Sequence, residues 1–125
     1  MKNVGIIKEN FDLAHKFTKL LNTKQMNIVE LPLYNSVQIN SLVISAAKEI
    51  EMGGQQAVIE YSRNTKADQI MIIEEKAKTY KTEVNFGGKL IKISIPEKED
   101  THDWILEIAA QMLTTKELVM ANDIR

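Results

Sequence analysis

Tyr80-Lys81-Thr82-Glu83-Val84-Asn85-Phe86-Gly87-Gly88-Lys89-Leu90-Ile91-Lys92-Ile93-Ser94-Ile95 is the stretch on which the architecture turns. Two runs that alternate apolar and polar residues flank Gly87-Gly88. Alternation with period two sends one set of side chains to one face of a strand and the rest to the other. Glycine enters the positive-φ region at no steric cost, which a tight hairpin turn demands. The spacing therefore predicts a β-hairpin over 80–95 closed by a two-residue turn. It pairs Phe86 with Lys89, Val84 with Ile91, Thr82 with Ile93 and Tyr80 with Ile95 on one largely apolar face. The other face sets Glu83 opposite Lys92, an opposite-charge pair contributing about 0.2–1 kcal/mol. A slip of one residue would expose Ile91, Ile93 and Ile95. Pro96 has no amide hydrogen for a ladder and ends the second run.

Working back from the hairpin, Ile70 to Glu74 reads as another strand. At the N-terminus, Val4 to Ile7 reads as a first strand, in which Gly5 suggests close packing. Asn10 is a candidate N-cap. Leu13, Ala14, Phe17, Leu20 and Leu21 then recur at helical spacing, and Asn22-Thr23 ends the helix. Met26 to Leu33 is rich in β-branched residues, with Pro32 near its end. This is a β-α-β opening.

Residues 35–66 admit three readings. The favoured one caps a helix at Asn35 or Ser36, gives it the stripe Ile39, Leu42, Val43, Ala46 and Ile50, and stops it at Gly53-Gly54. Gln56 to Ser62 is then a strand and Arg63 to Lys66 a turn. A second reading runs the helix on through Ala57, Val58 and Tyr61, at a cost of about 2 kcal/mol for the two glycines. A third makes Val37 to Ser45 a strand within a β-α-β-β-α-β ferredoxin-like unit. At the C-terminal end, Thr101 is read as the cap of a helix with Asp103 in its first turn. Its stripe is Trp104, Ile105, Ile108, Met112 and Leu113. A capping box from Thr114 to Glu117 restarts it before Leu118.

The expected fold is α+β: a two-layer sandwich with a mixed sheet and three helices on one face. Strands are expected near 3–8, 26–33, 56–62, 68–75, 79–86 and 89–95, and helices near 11–22, 37–52 and 102–120. A chain of 125 residues fits a single domain, 1–125, with an adequate core. It has no cysteine, so disulfide and thiolate chemistry are excluded. No apolar run approaches the roughly 18 residues of a membrane span, and the N-terminal apolar stretch is too short for a signal peptide. A cytoplasmic location is expected, in an organism or phage with a lysine-rich coding bias. The net charge is −1, which gives no overall pull toward nucleic acid. Residues 63–92 carry seven basic and four acidic side chains, a local excess best read as a solvated hairpin face. Lys76, Lys78, Lys81, Lys89 and Lys92 cluster there, but Tyr80 and Phe86 are expected to face the core and not a single strand of nucleic acid.

The sharpest chemical candidate is the triplet Glu74-Glu75-Lys76 at the end of an apolar strand, with Glu60 fourteen residues upstream. This resembles the PD-(D/E)XK nuclease pattern. The resemblance implies that Glu60 and Glu74 would hold Mg²⁺, for which hard oxygen ligands are suited, while Lys76 would act at the scissile phosphate. The first acid here is glutamate without a preceding Pro-Asp, and the triplet leads into a hairpin where that family continues into a helix. Glu60 and Asn64 also resemble the first ATP-contacting motif of histidine-kinase-like ATPases, whose Asp-x-Gly-x-Gly segment has no counterpart in this chain. Arg63, the sole arginine before the last residue, could fork onto a carboxylate or phosphate. Arg63 and Asn64 are thus the candidate ligand-binding residues. His15 falls off its helix's apolar face, and His102 lies in an acidic approach to a helix. No serine has partners that would make it a nucleophile. No cofactor or resident metal is called for.

These residues favour a non-enzymatic binding or regulatory protein of the bacterial or phage accessory, inhibitor or immunity type, with a protein partner and a possible homo-oligomer. The alternatives are the Mg-dependent nuclease or an inactive relic of one, and a small-ligand sensor. Fold alone decides none of these, because function resides in sites.

Overall fold

The structure, a computed structural model, describes residues 2–31 and 38–114. The sheet begins with β1 (Asn3–Ile6), and α1 (Ala14–Thr23) and β2 (Asn27–Glu30) come after it. Next come β3 (Ser41–Ser45), α2 (Ala46–Met52), α3 (Gln55–Asn64) and β4 (Gln69–Ala77). β5 (Lys81–Asn85), β6 (Leu90–Pro96) and α4 (His102–Thr114) complete the described chain. The six strands lie in the order β2-β1-β3-β4-β6-β5. Every neighbouring pair is parallel except β5 with β6. The β-α-β opening, the mixed sheet and the α+β class are as the sequence leads one to expect. The described residues form four helices, not three.

The helices cover both faces of the sheet, where one covered face is expected from the sequence. The cause lies in the central strands. Ile70, Met71, Ile72 and Ile73 are all buried, as are Leu42, Val43 and Ile44. A strand with apolar residues on both sides needs a layer on both sides. Val43, Met71, Ile73 and Ile93 pack with Phe17 and Leu21 of α1 and with Leu106 and Ala109 of α4. Leu42, Ile44, Ile70 and Ile72 pack on the other side with Val58 and Ile59 of α3 and Met52 of α2. Each such fully buried side chain contributes about 1.5–3 kcal/mol relative to exposure.

The favoured reading of residues 37–52 as one helix is corrected. Ser41–Ser45 is a central strand, and the helix begins only at Ala46. The apolar residues at 42, 43 and 46 fit a helical stripe, but a short apolar run fits a buried strand equally well. Ile50, assigned to that stripe, is 76% exposed. Gly53 does stop α2, in a left-handed cap at φ 115°. Beyond the glycines the chain forms the helix α3 and not a strand over 56–62. The strand of the third reading exists in part, yet it lies parallel between β1 and β4, with an order that is not ferredoxin-like. Asn10 does not cap α1, which starts at Ala14. Gly5 is confirmed as a packing glycine: a Cβ there would lie 2.7 Å from Leu31 Cδ1 and 3.0 Å from Ile39 Cγ2.

The hairpin keeps the expected register: Val84 opposite Ile91, Thr82 opposite Ile93 and Glu83 opposite Lys92. Its turn is wider than expected. Asn85 and Leu90 form the last pair, so Phe86–Lys89 make the loop. Phe86, Gly87 and Gly88 take φ of 55°, 64° and 89°. Val84 is 42% exposed on β5, the edge strand of the sheet among the described residues. In α4 the buried stripe is Ile105, Leu106, Ala109, Ala110 and Leu113. Trp104 is therefore outside the core, at 58% exposure, and Ile108 is only half-buried. The strand end near Pro32, the caps at Asn35 or Ser36, and the restart before Leu118 fall outside the described residues.

Gly88→Val is expected to destabilise the fold by about 1–3 kcal/mol, since a β-branched residue resists positive φ. Urea unfolding of the variant measures this. An unchanged midpoint would contradict the turn geometry.

Candidate functional site

After β1 the chain passes to α1 on one face; after β3 it passes to α2 on the other. β1 and β3 are neighbours, so the two connections part and leave a crevice beyond the strands' C-terminal ends. Ligands of doubly wound sheets bind at such switch points. The crevice has a volume of about 290 Å³ and is lined by Asn10, Asp12, Ser45, Ala46, Ala47, Glu74, Glu75 and Lys76. The Glu-x-Lys triplet thus reaches the place where a fold of this type puts its chemistry.

Each member of the triplet has an internal partner. Glu74 shares a face of the sheet with Ser94, its register partner, and its Oε1 accepts a 2.7 Å bond from the Ser94 hydroxyl. Glu75 turns to the opposite face. Its two carboxylate oxygens accept the amide hydrogens of Asp12 and Leu13, at 2.9 and 2.7 Å. These are orphan donors ahead of α1, and a side-chain acceptor there acts as a cap. Lys76 takes φ 58°, which breaks the strand's alternation, and its Nζ lies 3.7 Å from the Asp12 carboxylate. Nearby, Lys48 joins Glu9 at 2.9 Å and Glu51 at 3.2 Å. The hydrogen bond to Glu9, then that to Glu51, holds the Lys48 ammonium above its ordinary pKa.

Glu60 does not join Glu74 and Lys76. It is exposed on α3 and is not part of the crevice wall. Among the described residues no group of three or more His, Asp and Glu side chains is placed to hold a metal ion. A phosphate at such a switch point would sit on the amides before α1, and there the Glu75 carboxylate already accepts them. The connection from Lys8 to Leu13 also has no glycine to let a ligand approach the backbone.

Arg63 and Asn64 end α3 and are both exposed. Arg63 borders a second cavity, of about 330 Å³, with Phe86 and Lys89 from the hairpin loop across from it. Asn64 does not line it. A third feature is the margin formed by β5 and α4. The rings of Tyr80 and Trp104 meet at a centroid distance of 5.2 Å and a tilt of 59°. The Thr82 hydroxyl donates to the Tyr80 hydroxyl at 2.5 Å. On the strand's other face Lys81 and Glu83 form a 2.7 Å ion pair. Its hydrogen bond lowers the Glu83 pKa and raises that of Lys81.

Sequence reasoning misses Phe86 and Trp104 as surface groups, and it places Lys89 on a solvated hairpin face without the cavity beside it. A signal for Trp104 is present: it lies one position off the stripe that the two adjacent alanines, Ala109 and Ala110, define on α4. The chain matches no protein-family model, no curated protein and no solved structure.

Glu75→Ala is expected to cost about 1–2 kcal/mol, the usual loss of a helix cap. Lys76→Ala, which loses one exposed ion pair, should stay within about 0.5 kcal/mol. Thermal unfolding of the two variants compares them, and the reverse ranking would show that Glu75 is not the cap.

Proposed function

We propose that this chain is a non-enzymatic binding protein whose partner contact lies at the margin formed by β5 and α4. The carrying observation is Trp104, 58% exposed and packed against Tyr80 beside the open edge of the sheet. An aromatic residue held in a fixed pose outside the core suits a contact anchor. Among the described residues β5 has a partner on one side only, and an edge of this kind can take a further strand through its outward amides and carbonyls. Val84, 42% exposed, adds apolar surface on the Trp104 side. The engaged state of Glu74, Glu75 and Lys76 supports binding over catalysis at the switch point.

The partner best suited to this edge is a second copy of the chain. Laid antiparallel about Thr82, each Lys81 faces the partner's Glu83, and each Tyr80 faces the partner's Val84. Charges pair on one face and apolar groups on the other, as stable cross-strand pairs require. An accessory, inhibitor or immunity role is compatible with such a contact.

Light scattering after gel filtration tests this. The wild type should show a mass above one chain in the micromolar range. Trp104→Ala should return it to one chain while changing stability by no more than about 1 kcal/mol, the worth of an exposed aromatic pair. A wild type of single-chain mass across that range would remove the self-pairing. A large loss of stability in Trp104→Ala would show a structural role for the ring.

A further inference from the structure

We propose that the cavity between the end of α3 and the hairpin loop binds a small amphipathic monoanion, an aromatic or aliphatic carboxylate. This goes beyond the protein contact at β5 and uses a different part of the molecule. The cavity's volume of about 330 Å³ falls at the small end of ligand pockets, about 300–1,000 Å³. Ile59, Ile70 and Leu90 give it an apolar lining, and Arg63 and Lys89 bring two cations to it.

Lys8, Lys16, Lys24, Lys48, Lys76 and Lys81 each have a carboxylate within ion-pair distance. Among the described residues Arg63 and Lys89 share with Lys19, Lys66, Lys78, Lys92 and Lys98 the lack of a side-chain hydrogen bond or ion pair; what sets these two apart is the cavity they border together. Asp68 borders the same cavity. A guanidinium with its fork free is suited to a carboxylate. Asp68 offsets one of the two positive charges, which favours a singly charged head over a phosphate dianion. The apolar lining asks for a hydrocarbon tail.

Phe86 completes the site. Phe86 borders the cavity and is 60% exposed, and its backbone holds φ 55°. Left-handed backbone at a bulky residue costs on the order of 1–2 kcal/mol. Strain of this kind collects at ligand-binding positions. Nothing in the hairpin ladder needs phenylalanine there, whereas a ring at the cavity mouth can stack on an aromatic or cover an aliphatic tail. The backbone beside it is fixed: the Lys89 amide donates to the Phe86 carbonyl at 3.3 Å, and the Lys89 carbonyl accepts from Ile70 at 2.7 Å.

The test uses 3-phenylpropionate as the probe, with 3-phenylpropanamide as its neutral counterpart, each titrated into the full chain and followed by amide chemical shifts. Saturable shifts are expected around residues 56–70 and 86–90. Arg63→Gln and Lys89→Gln should each weaken the acid about tenfold, roughly 1.4 kcal/mol, and leave the melting temperature unchanged. The amide should bind at least as weakly as those variants bind the acid. Asp68→Asn should tighten binding. Phe86→Asn, which accepts positive φ, should hold or raise the melting temperature while weakening the probe. Equal binding of acid and amide would overturn the proposal. So would unchanged affinity in both cation variants, or the lack of saturable shifts at millimolar probe. Shifts centred on Trp104 and β5 would place the probe at the protein-contact margin and also overturn it.

Discussion

Everything in this fold depends on the need to cover Ile70-Met71-Ile72-Ile73 from both sides. Four consecutive buried residues cannot belong to a strand with one wet face. β4 therefore takes the middle of the sheet, with β3 and β6 as parallel neighbours. The crossover from β3 to β4 supplies α2 and α3, whereas β4 reaches its parallel neighbour β6 through the strand β5. The other face is covered by α1 from the β1–β2 crossover and by α4 after the last strand. α2 and α3 close one side between β3 and β4, and α1 and α4 close the other. The switch point between β1 and β3 is then unavoidable, because α1 and α2 must leave their strands toward different faces. The crevice is a consequence of how β4 is buried, before any question of function arises.

That constraint also explains which parts of the structure are legible in the chain. The hairpin register is readable because turn glycines and alternation point the same way, and each residue from Thr82 to Val84 has the partner that pattern assigns. β1, α1 and β2 are readable for a similar reason. Ser41–Ser45 is not, because a strand buried on both faces has no alternation to read. Leu42, Val43 and Ala46 fit a helical stripe as well as they fit β3 and the start of α2. With 41–45 read as helix and Gly53-Gly54 as its stop, 56–62 falls to a strand, whereas the two glycines separate the helices α2 and α3. The two-layer expectation comes from the hairpin, whose half-wet face is a property of the sheet margin and not of its centre.

The site is legible in part, and the reason is again the pleat. Glu74 and Glu75 are adjacent in sequence and so lie on opposite faces of β4. One bonds Ser94 and the other caps α1. A sequence motif records spacing but not which carboxylate is spent on the scaffold. Glu60 is tied to Glu74 only if both sit on adjacent strands; on α3 that link disappears. Arg63 stands out because arginine is scarce in this chain, and the structure does set it beside a cavity. Its neighbours there, Phe86 and Lys89, come from the loop, and only the widened turn brings them across.

The distribution of partners over the molecule argues for where function lies. At the switch point the fold spends its own carboxylate on the amides that would otherwise attract a ligand, and its lysines on its own acids. Such a network stabilises the connection from β1 to α1, since each buried or half-buried donor must find an acceptor. It also occupies the Asp12 and Leu13 amides, to which an anion would otherwise bind. Arg63 and Lys89, whose side chains have no hydrogen bond or ion pair among the described residues, stand together at the opposite, N-terminal ends of β4 and β6, and the half-exposed Trp104 stands at the β5 margin. The two cations give the folded chain nothing that a solvated lysine would not provide, and the Trp104 ring gives it only the exposed contact with Tyr80. Their place in this structure is what the proposed contacts with a partner and with a small anion rest on.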